Sequence, residues 1–171
     1  MSSVSESRTQ SFLGLVRPMI LFLDFDGVLH PMFPREDLKH AENQHFSYMP
    51  RLESVLRDFP HVDIVVSSDW RKMHTLEQLR GFFSPDIAQR IIGVTPAVER
   101  VGVAVSYAER VRHSEVLAWL DANGHAATPW LALDDDPENF PPPAPLVLCA
   151  DGFHDVEEAA LRSMLREGAL P

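Results

Sequence analysis

Asp24 and Asp26 stand one residue apart, directly after the apolar run Met19-Ile-Leu-Phe-Leu and directly before Gly27-Val-Leu. In an extended chain that spacing points both carboxylates the same way, and two like charges so close repel unless a cation or a shared proton relieves them. A divalent ion is the simplest relief. Mg²⁺ takes a few carboxylate or carbonyl oxygens and completes its shell with water and phosphate, so the pair suits phosphoryl chemistry in which one carboxylate is the nucleophile. A bare Asp-x-Asp is also the mark of a solvated turn at a strand end. The apolar run before it and the Gly-Val-Leu after it favour the site. The same theme recurs twice: Val62-Asp-Ile-Val-Val leads into Ser67-Ser68, and Trp130-Leu-Ala-Leu into Asp134-Asp135-Asp136. A serine hydroxyl at a strand end, beside the amino end of a helix, can bond a phosphate oxygen, with simple helix capping as the alternative. Three consecutive acids after a buried strand are costly without a cation.

These residues need elements that bring them together. Apolar runs without alternation suit strands covered on both faces, the habit of parallel sheets, whose ligands gather at the carboxyl ends of the strands. Five such runs occur: Met19 to Leu23, His61 to Ser68, Arg90 to Pro96, Trp130 to Asp136 and Leu146 to Cys149. Between them the 3.6-residue period predicts a helix from Met49 to Phe59 on Leu52, Val55, Leu56 and Phe59, and another from about Met73 to Phe83. A third runs from His113 to Gly124, capped by Ser114, with a stripe of Val116, Leu117 and Leu120. A closing helix from Asp155 to Arg166 uses Val156, Ala160, Leu161, Met164 and Leu165. Asp136 is expected to cap the Pro137-Glu-Asn turn, and 97–111 to form a loop or small hairpin.

With 171 residues the chain suits one domain. We expect a loose tail over 1–15, a single catalytic domain over 16–171, and a short flap at about 30–48, where prolines and polar residues show no sustained period. A formal charge of -10 opposes general affinity for a phosphate backbone or an anionic membrane. Arg51, Arg57, Arg71, Lys72 and Arg80 fall in one stretch and could share a surface, although solvated helix faces are the plainer reading. The single Cys149 precludes an intrachain disulfide and reads as a small buried hydrophobe. With no signal peptide or membrane span in the pattern, a reducing cytoplasm is the expected setting. His30, His40, His45 and His154 are scattered and receive no role.

Asp24-Phe-Asp-Gly-Val-Leu resembles the first motif of the haloacid dehalogenase-like (HAD) phosphohydrolases. His30-Pro31, with Ser67-Ser-Asp-Trp-Arg71, is similar to the HAD domains of Swiss-army-knife RNA-repair proteins. The resemblance implies an α/β fold, a Rossmann-like three-layer sandwich on a five-stranded parallel sheet with a minimal cap. It implies that Asp24 is the nucleophile and a Mg²⁺ ligand through its side chain. Asp26 would be the general acid and base, and a Mg²⁺ ligand through its backbone carbonyl. Ser67, with Ser68 as the alternate register, corresponds to the phosphate-binding second motif. The third motif is usually a lysine; no lysine follows Lys72, so Arg112 comes first for that role and Arg110 second. Asp134 and Asp135 match the acidic fourth motif and would complete the metal site. The implied activity is a Mg²⁺-dependent phosphatase working through an aspartyl-phosphate, with a nucleotide or polynucleotide-end phosphate as the favoured substrate and no membrane or obligate protein partner. Alternatives are a phosphatase of small metabolites, phosphotransfer to a second alcohol, and a non-catalytic phosphate-binding or interaction module on the same fold.

Overall fold

The computed structural model describes residues 17–97 and 111–168. Its first strand, β1 (Met19–Leu23), is buried along its whole length. This run carries no polar residue because it is the middle of the sheet. It pairs in parallel with β2 (Val62–Val66) on one side and with β4 (Trp130–Asp134) on the other. Outside these lie β3 (Ile91–Val94) and β5 (Leu146–Leu148), giving an all-parallel sheet in the order β3-β2-β1-β4-β5. Helices α1 (Met49–Asp58), α2 (Leu76–Arg80), α3 (Pro85–Ala88), α4 (Val111–Ala122) and α5 (Asp155–Gly168) complete the chain.

The period of two along the strands sorts the core into two halves. Leu21, Leu23, Ile64, Val66, Leu131 and Leu133 face one way, onto Leu52, Val55 and Leu56 of α1 and Leu161 and Leu165 of α5. Ile20, Phe22, Val65 and Ala132 face the other way, onto Val116, Trp119 and Leu120 of α4. Phe22 meets Trp119 and Trp130 edge-on, each at 5.8 Å. The result is the expected three-layer α/β sandwich of Rossmann-like form.

Three local expectations need correction. In place of one helix from Met73 to Phe83 there is a 3₁₀ helix at Asp69–Lys72, then α2 and α3. Thr75 and Gln78 form a capping box that starts α2 afresh, and Pro85 opens α3. Helix α4 begins at Val111, so Ser114 lies inside it, and Leu117 is exposed while Trp119 fills the buried stripe. On α5 only Leu161 and Leu165 are buried, and Val156 and Ala160 face solvent, because the helix packs along one narrow seam. Residues 31–48 contain neither helix nor strand. Asn43 ties this segment to itself, accepting from the Arg35 N–H at 2.7 Å and donating to the Arg35 carbonyl at 2.8 Å. Most of 97–111 lies outside the described residues.

Candidate active site

Asp24, Ser67 and Asp134 continue the Ile20–Phe22, Val65 and Ala132 side of the sheet, so strand parity alone sends them towards the α4 face. The main-chain ladder runs on past the strands to fix them there. The Asp24 N–H donates to the Leu133 carbonyl at 3.0 Å, the Ser67 N–H to Leu23 at 2.9 Å, and the Cys149 N–H to Asp134 at 2.9 Å. Cys149 itself is fully buried, and burial pushes its thiol up. After Asp26 the chain turns at Gly27, with φ +72°. A Cβ there would also overlap the Asp135 carboxylate, so glycine is required twice over.

Asp24, Asp134 and Asp135 each bring a carboxylate oxygen within 4.8 Å of the others. Asp24 is 6% exposed. Its carboxylate accepts from the Phe25 N–H at 2.7 Å and from the Ser68 hydroxyl. Burial nevertheless holds its pKa above the ordinary carboxylate value, against the pull of Arg112 and those two bonds. Asp134 Oδ1 accepts from the Asp136 N–H at 3.0 Å and from Asn139 Nδ2 at 2.9 Å. Its Oδ2 is buried with no hydrogen-bond partner. Burial, and then the charge of Asp24, push Asp134 up to about 7. The same two causes push Asp135 up to about 6. Three acids strained in one direction, one with an orphaned buried oxygen, form an all-oxygen donor set that fits a hard divalent cation.

Arg112, in the first turn of α4, reaches over this cluster. Its Nη2 lies 3.7 Å from Asp24 Oδ2 and its Nε 3.7 Å from Asp134 Oδ2, while Nη1 donates to the Ser67 carbonyl. Arg110 lies outside the described residues. The two serines divide the alternatives weighed for them: Ser68 Oγ accepts from the Trp70 N–H at 3.4 Å and caps the 3₁₀ helix, whereas Ser67 Oγ is buried without a partner.

Asp26 stands apart from the three-acid cluster. Its Oδ1 is 3.0 Å from His30 Nε2, and its Oδ2 accepts from Trp70 Nε1 at 3.0 Å. His30 is buried, and that burial lowers its pKa despite the adjacent carboxylate. The sequence reading gave neither His30 nor Trp70 a role, although the i, i+4 spacing of Asp26 and His30 was a usable signal. Asn139 and Glu115 were also missed.

The five basic residues do not form a shared surface. The Arg71 side chain is 3% exposed, donating to the carbonyls of Ser67 at 2.7 Å, Ser68 at 2.8 Å and Thr95 at 3.0 Å, and pairing with Glu115 at 2.7 Å. Arg51 pairs with Asp155 and Glu158, Arg57 with Glu53 and Asp86, and Lys72 with Asp69. Arg80 donates to the Ile91 carbonyl. Each cation is turned to its own neighbours, so Arg71 and Lys72 buttress the loop after β2 rather than lining a track beside Asp24.

A parallel sheet carrying Asp24-x-Asp26 at its central strand and an acid pair on the neighbouring strand defines a HAD-type α/β domain. The family described as the HAD domain in Swiss Army Knife RNA repair proteins matches residues 20–156, from β1 into the first turn of α5. The chain belongs to that family, which points to phosphohydrolase-type function. No curated protein matches the sequence. Among the described residues no helix is long and apolar enough to cross a membrane.

Proposed function

We propose that the protein is a Mg²⁺-dependent phosphohydrolase that forms an aspartyl-phosphate on Asp24, and that the phosphate it removes is carried by a nucleotide or a polynucleotide end. The observation that carries this reading is the approach of Asp24, Asp134 and Asp135 within 4.8 Å. Their carboxylates, with the main-chain carbonyl of Asp26, would hold the ion. Bound there, Mg²⁺ would neutralise charge on the nucleophile and on the phosphoryl oxygens.

The chain's own groups supply the rest. Asp24 attacks phosphorus in line while Asp26 protonates the leaving oxygen; Asp26 then takes a proton from the water that displaces Asp24. Arg112 balances charge on the phosphoryl oxygens from its place above Asp24, and the unpartnered Ser67 hydroxyl is a donor for one of them. Between β1 and β2 stand only the 31–48 segment and α1, leaving no room there for a large cap, so extended substrates gain weight. The RNA-repair context of the family supports a nucleic-acid end.

The test is phosphate release from phosphorylated oligonucleotides, mononucleotides, sugar phosphates and phosphopeptides, with Mg²⁺ and with EDTA. Turnover is expected with Mg²⁺, and none in EDTA or for Asp24→Asn. Full turnover in chelator would remove the metal from the mechanism. A clear preference for a sugar phosphate would reject the polynucleotide end and leave the hydrolase intact.

A further inference from the structure

Asp26 contributes nothing to the three-acid cluster through its side chain, yet both of its oxygens are engaged, one by His30 and one by Trp70, each at 3.0 Å. We propose that His30 and Trp70 are positioning residues for proton transfer: together they fix the plane of the Asp26 carboxylate and leave its open side to the leaving group. The inference rests on the hydrolase reading above.

The direction of each bond follows from geometry. The Phe46 N–H donates to His30 Nδ1 at 3.3 Å, so that nitrogen is an acceptor, and the proton of the neutral ring sits on Nε2, aimed at Asp26 Oδ1. His30 is 3% exposed, so it has little access to water as a competing partner. Phe46 presents its N–H from a left-handed conformation, φ 63°, which a bulky residue adopts only when its surroundings require it. Those surroundings are its stack on Phe82 at 4.9 Å and its edge contacts with Trp70 at 5.2 Å and Phe25 at 5.7 Å. The Trp70 indole N–H is a donor at every pH and can do nothing else. Trp70 belongs to the 3₁₀ helix that Ser68 caps, and its ring is stacked on one face by His74 at 5.3 Å.

With one donor on each oxygen, rotation of the carboxylate about its Cβ–Cγ bond breaks both contacts at once. The side chain is still 35% exposed, so the carboxylate remains accessible to a leaving group. The proton balance is simple. In the first half-reaction the Asp24 oxygen–phosphorus bond forms, the bond to the leaving oxygen breaks, and that oxygen takes the proton of Asp26. In the second, a water oxygen bonds phosphorus, Asp24 departs, and the water's proton returns to Asp26. His30 and Trp70 neither gain nor lose a proton in either half.

The experiment compares two substrates that differ in their need for that proton. Benzyl phosphate expels a poor leaving group and 4-nitrophenyl phosphate a good one. For Trp70→Phe, which keeps the ring and deletes the donor, the loss in kcat/KM, which reads the first half-reaction alone, should be about tenfold greater on benzyl phosphate than on 4-nitrophenyl phosphate, the scale of one hydrogen bond to a charged group. His30→Gln, which retains a donor of similar reach, should recover much of what His30→Leu loses. Independently of turnover, the Trp70 indole proton should resonate downfield in wild type and move upfield in Asp26→Ala. Equal losses on both substrates, or an indole resonance indifferent to Asp26, would overturn the proposal. Absence of wild-type turnover on both esters and on phosphorylated oligonucleotides, mononucleotides, sugar phosphates and phosphopeptides would instead refute the hydrolase reading, and this one with it.

Discussion

Asp134→Asn should make the metal-free protein more stable, although it removes a residue on which the proposed metal site depends. Asp134 is fully buried and pushed up from 3.8 to about 7. Three units at about 1.4 kcal/mol each place the cost of holding it ionised at about 4 kcal/mol. The folded state binds this proton more tightly than the unfolded chain does. Metal-free stability therefore falls as pH rises from 3.8 towards 7, the full penalty stands above about 7, and acidification relieves it. Asp135, pushed up to about 6, and Asp24, raised by burial, act in the same direction. Asparagine keeps the Oδ1 acceptor for the Asp136 N–H and Asn139 but turns an amide towards Arg112, which offsets about half of the gain. The net is about 2 kcal/mol, or roughly 4–8 °C in Tm for a chain of this size. The assay is thermal melting at pH about 8 and about 5.5, in EDTA and in Mg²⁺. In EDTA the variant should melt higher at the alkaline pH and converge with wild type at the acidic one. Mg²⁺ at about a hundredfold excess over Kd should raise wild-type stability at pH 8 by about 2.7 kcal/mol, less at the acidic pH where protons compete, and far less in the variant. A wild-type melting point indifferent to pH in EDTA would refute the reasoning.

Asp26→Asn should keep the Mg²⁺-dependent rise in Tm and lose about 10²–10⁴-fold in kcat, read by phosphate release; an unchanged rate removes Asp26 from the mechanism. Gly27→Ala meets both a φ of +72° and the Asp135 carboxylate, so stability should fall by about 1–3 kcal/mol and the Mg²⁺ midpoint of the Tm titration should move to higher concentration. Arg71→Met removes the 2.7 Å partner of buried Glu115, leaving Arg112 at 3.9 Å, and frees three carbonyls; a loss of about 3–5 kcal/mol is expected, and an intact melting curve would show that the network contributes nothing. On a phosphorylated single-stranded oligonucleotide, log kcat/KM should fall with log salt at a slope no steeper than about -1.5, because Arg51, Arg57, Arg71, Lys72 and Arg80 are engaged by their own neighbours; a steeper slope would reveal a basic track.

The fold was legible because its strands are unambiguous. Five short apolar runs without alternation read as the strands of a parallel sheet, and the carboxyl end of each sits where its polar residues begin, so Asp24, Ser67 and Asp134 could be placed on one edge from the sequence. Helix faces were read less well. Leu117 and Val156 fit the period but look outwards, since α4 and α5 each bury a stripe narrower than their apolar content suggests. What hydropathy could not carry was the identity of hydrogen-bond partners. Arg71 looks like any surface arginine in the sequence, yet the loop after β2 folds around its guanidinium, because five donors in a plane satisfy carbonyls that would otherwise be orphaned. His30 was passed over for the same reason. A histidine near the proposed catalytic acid gains meaning only from the Phe46 N–H sixteen residues on, which sets which of its nitrogens carries the proton.

An acidic protein in which Arg51, Arg57, Arg71, Lys72 and Arg80 are engaged by their own neighbours can still favour a polynucleotide end, provided that recognition is confined to that end. A terminal phosphate monoester carries close to two negative charges near neutral pH, against one on each internal diester. The net charge of -10 repels the internal backbone over the whole surface and is screened beyond about 8–10 Å. Inside that radius the proposed site offers Arg112, held by the Ser67 carbonyl, and the metal that the three acids require. Attraction therefore grows with the charge of the one phosphate that reaches Asp24, while repulsion grows with the length of the chain behind it. The five paired cations sharpen this contrast: a basic track would hold internal phosphates as well as ends, and Arg51, Arg57, Arg71, Lys72 and Arg80 are turned inward or neutralised instead. On the proposed reading the acidic surface acts as a filter that lets ends compete with the far more numerous internal phosphates.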